Sequence, residues 1–195
     1  LRKVARSFLA ARCPTEVVRR LEHDTRGFLP EMWSEMAEMG WVGLALPDGG
    51  GTILDLAVIF EELGRAVSPT PLFSTVALAG LTLADAGHLP PGVAEGRTLI
   101  GTALADVPPD ALTAEVSGSN ARVNGTVPFS YDVESADLLL VVAGPVLVLL
   151  DTDRPGIEAS RLDTLSNDRL FEPRIDGTEG EVVGNTAELL PAALA

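Results

Sequence analysis

The chain has 195 residues, 46% of them hydrophobic, and a formal net charge of −14. That length buries a sizeable core. The acid excess repels phosphate backbones, which excludes general nucleic-acid binding, and the lack of an uninterrupted apolar run of about 18 residues excludes a bilayer-spanning helix.

The charge is uneven: Leu1 to Pro30 holds seven basic and three acidic residues, while the rest holds seven basic and twenty-five acidic ones, a body of −18. The basic start has neither a continuous apolar segment nor a small-residue cleavage site, so it does not read as an export signal. A single cysteine, Cys13, excludes an internal disulfide, and two histidines, His23 and His88, are too few for a histidine-rich metal site. A cytoplasmic setting without a bound metal is expected.

Val4, Phe8 and Leu9, then Val17, Val18 and Leu21, recur at three- and four-residue spacing and predict two short helices parted at Pro14-Thr15. Met32, Trp33, Met36 and Met39 predict a third that ends at Gly40 in a left-handed cap. Its Met and Trp stripe reads as core. From Trp41 to Arg65 the sequence WVGLALPDGGGTILDLAVIFEELGR sets an apolar run, a Gly-rich turn and a helix whose Leu56, Ile59, Phe60 and Leu63 share one face, with Gly64 at its end. Gly49-Gly50-Gly51 lacks the spacing of a phosphate-binding loop and reads as a turn before a helix. Glu61 and Glu62 point about a hundred degrees apart on that helix and do not share a proton site; Glu61 or Glu62 is expected to pair with Arg65 instead. Ser68-Pro69-Thr70-Pro71 forces an extended turn before a long apolar helix predicted from Leu72 to Ala86.

After Arg97 the pattern changes to short β-branched segments bounded by Gly, Asn, Pro and Asp. Strands at this spacing predict a small barrel or sandwich, with hairpin turns at Asn124-Gly125 and Gly144-Pro145. Helices followed by strands make the fold class α+β: an amino-terminal all-α domain followed by a small antiparallel β-barrel. The expected division is 1–97 helical, 98–186 barrel, and 187–195 the start of a further helix that the chain leaves incomplete.

In combination, Gly40-Trp41-Val42-Gly43-Leu44, Pro47-Asp48-Gly49-Gly50-Gly51, Glu61 to Arg65, and Ser68 to Pro71 resemble the first domain of acyl-CoA dehydrogenases. The second half is similar more loosely, through Ala103 to Asp106, Asn124-Gly125-Thr126, Phe129-Ser130-Tyr131, Ala136-Asp137, and Asp151 with Arg154-Pro155-Gly156; Gly177 and Gly184 are expected to end the barrel. The resemblance implies FAD as cofactor, an acyl-CoA substrate, electron-transfer flavoprotein as acceptor, and homo- or hetero-oligomers of acyl-CoA dehydrogenase-type subunits. It implies α,β-dehydrogenation, in which a glutamate takes the α-proton and the flavin takes the β-hydride. That glutamate lies in a carboxy-terminal bundle with no counterpart here, so no catalytic residue is assigned. The same resemblance places Leu104, Ala105, Asp106, Phe129, Ser130 and Tyr131 at the flavin. Three departures stand out: Asp106-Val107-Pro108-Pro109 replaces a Gly-Ser turn whose N–H groups proline cannot supply, Val127 replaces a lysine, and Tyr131 replaces a small hydroxyl residue. These departures support an alternative, a non-catalytic subunit paired with a flavin-binding homologue.

Overall fold

The structure is a computed structural model that describes residues 1–104, 107–108, 110–165 and 169–189. Four α-helices open the chain: α1 (Arg2–Arg12), α2 (Thr15–Leu21), α3 (Pro30–Glu38) and α4 (Ile53–Ala66). Their apolar stripes face one another, burying Leu9, Met32, Met36 and Ile59. α4 begins with a capping box: Thr52 Oγ1 accepts from the Asp55 amide at 3.3 Å, and the Asp55 carboxylate accepts from the Thr52 amide at 2.9 Å. The helix runs past Gly64 and stops at Val67, whose φ of 50° puts a β-branched residue in the left-handed region.

The single helix expected over Leu72 to Ala86 is two segments. Phe73–Gly80 has π-helical geometry, and α5 (Leu81–Asp85) continues it. The wider turn lies where the helix is tied to the sheet, with the Thr75 hydroxyl accepting from the Ile100 amide at 3.1 Å.

Among the described residues eight strands follow: β1 (Ile100–Ala103), β2 (Leu112–Ser117), β3 (Asn120–Thr126), β4 (Ser130–Tyr131), β5 (Leu138–Ala143), β6 (Val146–Asp151), β7 (Ile157–Arg161) and β8 (Leu170–Asn185). They form a sheet in the order β2-β3-β8-β4-β1-β5-β6, with β7 added on β8 and the far end of β8 returning to β6. The sheet is mixed, not purely antiparallel, because β1 and β5 run parallel. The excursion through β2, β3 and β4 between them allows it, since a parallel pair needs a long crossover.

One of the two turn assignments changes. Gly144-Pro145 joins β5 to β6 as expected, with Ala143 opposite Val146. Asn124-Gly125 is no hairpin turn: the β2–β3 turn is Gly118-Ser119, with Ser117 opposite Asn120, and Asn124 and Gly125 lie inside β3 beside a bulge. Gly177 falls well within β8, whereas Gly184 stands one residue before its end at Asn185.

Side chains alternate across β5 and β6. Leu140 and Leu147 join the core cluster that contains Ala5, Met36 and Ile59 of the helices, whereas Leu139, Val141 and Val148 join a second cluster around Phe171. Both faces are buried, so these strands read as continuous apolar runs. No helix among the described residues is long and apolar enough to cross a membrane.

Candidate functional site

β4 lies between β1 and β8, with Tyr131 opposite Thr102 and Ser130 opposite Phe171. The alternation of the strand sends the two side chains to different places. Ser130 is fully buried and donates its hydroxyl to the Thr102 carbonyl at 2.9 Å. Tyr131 is half-buried and meets Phe73 edge-on, with ring centroids 5.5 Å apart; Phe73 in turn meets Phe60 edge-on at 6.1 Å. Phe129 is half-exposed, and Leu104 is buried in the shared core. Ala105 and Asp106 lie outside the described residues.

The aromatic row forms one wall of a cavity of about 490 Å³, which also touches Leu63, Asp132 and Arg169. Its size suits a small-molecule ligand, and apolar walls with a few polar groups are the usual composition of such sites. Asp132 follows Tyr131 and takes a left-handed backbone, φ 54°. Its carboxylate accepts from the Ser74 hydroxyl at 2.6 Å and lies 3.9 Å from Arg169 Nε. Burial pushes the Asp132 carboxyl above the ordinary range, against the pull of Ser74 and Arg169.

Arg169 is itself largely buried, and burial draws its guanidinium downward, against the Asp132 charge. Its terminal nitrogens donate to the backbone carbonyls of Thr25 at 2.6 Å and Asp24 at 3.3 Å. The Asp24 carboxylate accepts from the amides of Arg26 and Gly27, and this holds its pKa down. The 24–27 loop, β4 and the π-helical segment thus meet at one polar cluster at the edge of the cavity.

Sequence reasoning placed Tyr131 near a ligand and missed Phe73, Asp132 and Arg169. The two hydroxyls of Ser74-Thr75 in an apolar helix were the available signal. Among the described residues no group of three or more His, Cys, Asp or Glu side chains is arranged to hold a metal ion.

A family model described as "Acyl-CoA dehydrogenase, N-terminal domain" matches residues 1–88. An acyl-CoA dehydrogenase of Mycolicibacterium smegmatis, IpdE2, is 29% identical over 143 residues, covering 70% of this chain and 45% of the relative. A variant of the Tcur3481-Tcur3483 steroid ACAD superposes with a TM-score of 0.86 at 30% identity, over 99% of this chain and 58% of that one. The chain belongs to the acyl-CoA dehydrogenase family.

FadE34 of Mycobacterium tuberculosis, a second acyl-CoA dehydrogenase, is 31% identical over 142 residues, 68% of this chain and 20% of FadE34. The ChsE4-ChsE5 complex of the same organism shares the fold, with a TM-score of 0.85 at 22% identity over 97% of this chain and 57% of that one. The chain spans less than half the length of these curated acyl-CoA dehydrogenases.

Proposed function

We propose that the chain is the helical and sheet portion of an FAD-dependent acyl-CoA dehydrogenase subunit, in a cytoplasmic assembly that dehydrogenates an acyl-CoA thioester at the α,β position and passes electrons to an electron-transfer flavoprotein. We propose the division of the chain at about residue 97, with a further part beginning at about residue 187; residues 190–195 lie outside the described residues. What carries the reading is the likeness to the steroid ACAD along 99% of the chain, joined to an aromatic-walled cavity beside β4. A wide wall of three aromatic rings accommodates a ring-bearing acyl group, in keeping with that relative's name.

When bound, FAD supplies the acceptor for the β-hydride. The half-exposed Phe129 and the half-buried Tyr131 are the side chains that would hold the isoalloxazine. Ser130 keeps its hydroxyl on the Thr102 carbonyl and backs the strand from inside. Leu104 acts from within the core, supporting the backbone that leads to Ala105 and Asp106.

Visible absorption of the chain after incubation with FAD and removal of the excess tests the reading. A retained, perturbed flavin band supports it. A colourless protein that turns yellow with a homologous subunit supports a second reading, a non-catalytic subunit paired with a flavin-binding homologue. The buried Ser130 hydroxyl and the packed Tyr131 ring favour that second reading, because neither resembles a free donor to a flavin. Two solved relatives are named as pairs, Tcur3481-Tcur3483 and ChsE4-ChsE5.

A further inference from the structure

We infer that Ser74 and Asp132 are positioning residues: their hydrogen bond holds Tyr131 edge-on against Phe73 and thereby sets the width of the cavity's aromatic wall. Ser74 directly follows Phe73, and Asp132 directly follows Tyr131, so the 2.6 Å polar link and the 5.5 Å ring contact lie side by side between the same two backbone segments. Neighbouring Cα atoms are about 3.8 Å apart, so fixing one residue of each pair fixes the other closely. The two links differ in stiffness. An edge-on ring contact tolerates sliding over a range of centroid separations, whereas a short hydroxyl–carboxylate bond is directional.

The surroundings brace both ends of the bond. Thr75, next along the π-helical segment, accepts from the Ile100 amide and pins the helix to β1. On the other side the Arg169 guanidinium, held on the carbonyls of Asp24 and Thr25, stands 3.9 Å from the second oxygen of Asp132. The left-handed backbone of Asp132 is a conformation that an aspartate or asparagine adopts more readily than most residues. The wall is therefore braced at one side by polar groups, of which Asp132 and Arg169 also touch the cavity. Only the consequence for an acyl ligand rests on the proposed function; the placement of the ring does not.

Tyr131 is the only tyrosine of the chain, so 3-fluorotyrosine labelling gives one ¹⁹F resonance that reports this ring. Phe73→Ala calibrates the experiment by removing the neighbouring ring. Ser74→Ala is expected to move the resonance toward the Phe73→Ala position and broaden it. Asp132→Gly, which deletes the carboxylate while easing the backbone, is expected to do the same. Asp132→Asn and Ser74→Thr keep the hydrogen bond and are expected to restore the parent resonance. A parent-like resonance in Ser74→Ala or in Asp132→Gly, with Phe73→Ala displaced, overturns the inference. 3-Phenylpropanoyl-CoA, a thioester with a ring-bearing acyl group, added to the labelled parent addresses the acyl reading separately: an unmoved Tyr131 resonance counts against that reading and leaves the variant series to decide the positioning role.

Discussion

Arg6 grips Glu62 with two nitrogens, Nε at 2.9 Å and Nη2 at 2.7 Å, and so ties α1 to α4 across 56 residues of sequence. Glu62 is 1% exposed, and Arg2 and Arg65 also approach it, at 3.3 and 3.6 Å. The Arg6 guanidinium beside it lowers the Glu62 pKa from the ordinary 4.5 to about 2, against the cost of burial. A carboxylate with a depressed folded pKa stabilises fully above its unfolded value and loses that contribution as pH falls through the folded one. Glu62→Gln is therefore expected to lower Tm at neutral pH, and the deficit should close between about pH 4.5 and pH 2. Thermal melts across that range check it; a deficit that does not change with pH would mean that the charge contributes nothing.

Asp132 has the opposite sign. Its carboxyl holds its proton in the folded state above the ordinary 3.8, because burial disfavours the charge. The folded state is then penalised as pH rises above 3.8, the value at which the unfolded chain ionises. Asp132→Asn keeps an acceptor for Ser74 and has no proton to lose. Its Tm should match the parent in acid and exceed it once pH rises above 3.8, by an amount that stops growing above the folded pKa. Equal melting temperatures at pH 7 would show that Arg169 fully offsets the burial.

The core cluster that joins Ala5 and Met36 to Leu140 and Leu147 predicts that helices and sheet unfold together. Both tryptophans, Trp33 and Trp41, belong to the helical part, so their fluorescence follows that part alone. Leu140→Ala, in a fully buried strand position, should cost about 2–5 kcal/mol and lower the tryptophan-detected midpoint as much as the far-ultraviolet one. A tryptophan transition left where it was would mean that the two parts fold independently.

The sequence carried local information well and long-range information poorly. α4 is found where the stripe of Leu56, Ile59, Phe60 and Leu63 places it, running two residues past the expected end at Gly64, because its stripe and its Thr52–Asp55 cap are both written within a few positions. Asn124-Gly125 misled because its local preference for a turn is overridden by pairing with β8, while the less conspicuous Gly118, at φ 63°, supplies the turn. No local spacing relates Ser74 to Asp132, 58 residues apart, or either to Arg169. The polar cluster at the edge of the cavity could be found only in three dimensions, as could the parallel pairing of β1 with β5.

The Gly-rich turn before α4 gives the last test, because Gly49 and Gly64 should respond oppositely to the same substitution. A Cβ on Gly49 would stand 1.9 Å from the Gly43 carbonyl oxygen, a backbone atom that cannot swing aside. The Gly49 amide also donates to the Leu46 carbonyl at 3.0 Å, so the turn is closed tightly on itself. Gly49→Ala is expected to cost roughly 2–3 kcal/mol, in the upper range for a single substitution. Gly64 sits inside α4 with nothing within 4 Å of the added atom. There an alanine loses less backbone freedom on folding, and Gly64→Ala should stabilise by about 0.5–1 kcal/mol. Denaturant midpoints of the two variants measure both effects. If both move the same way, close backbone approach is not what requires glycine in the Pro47 to Gly51 turn.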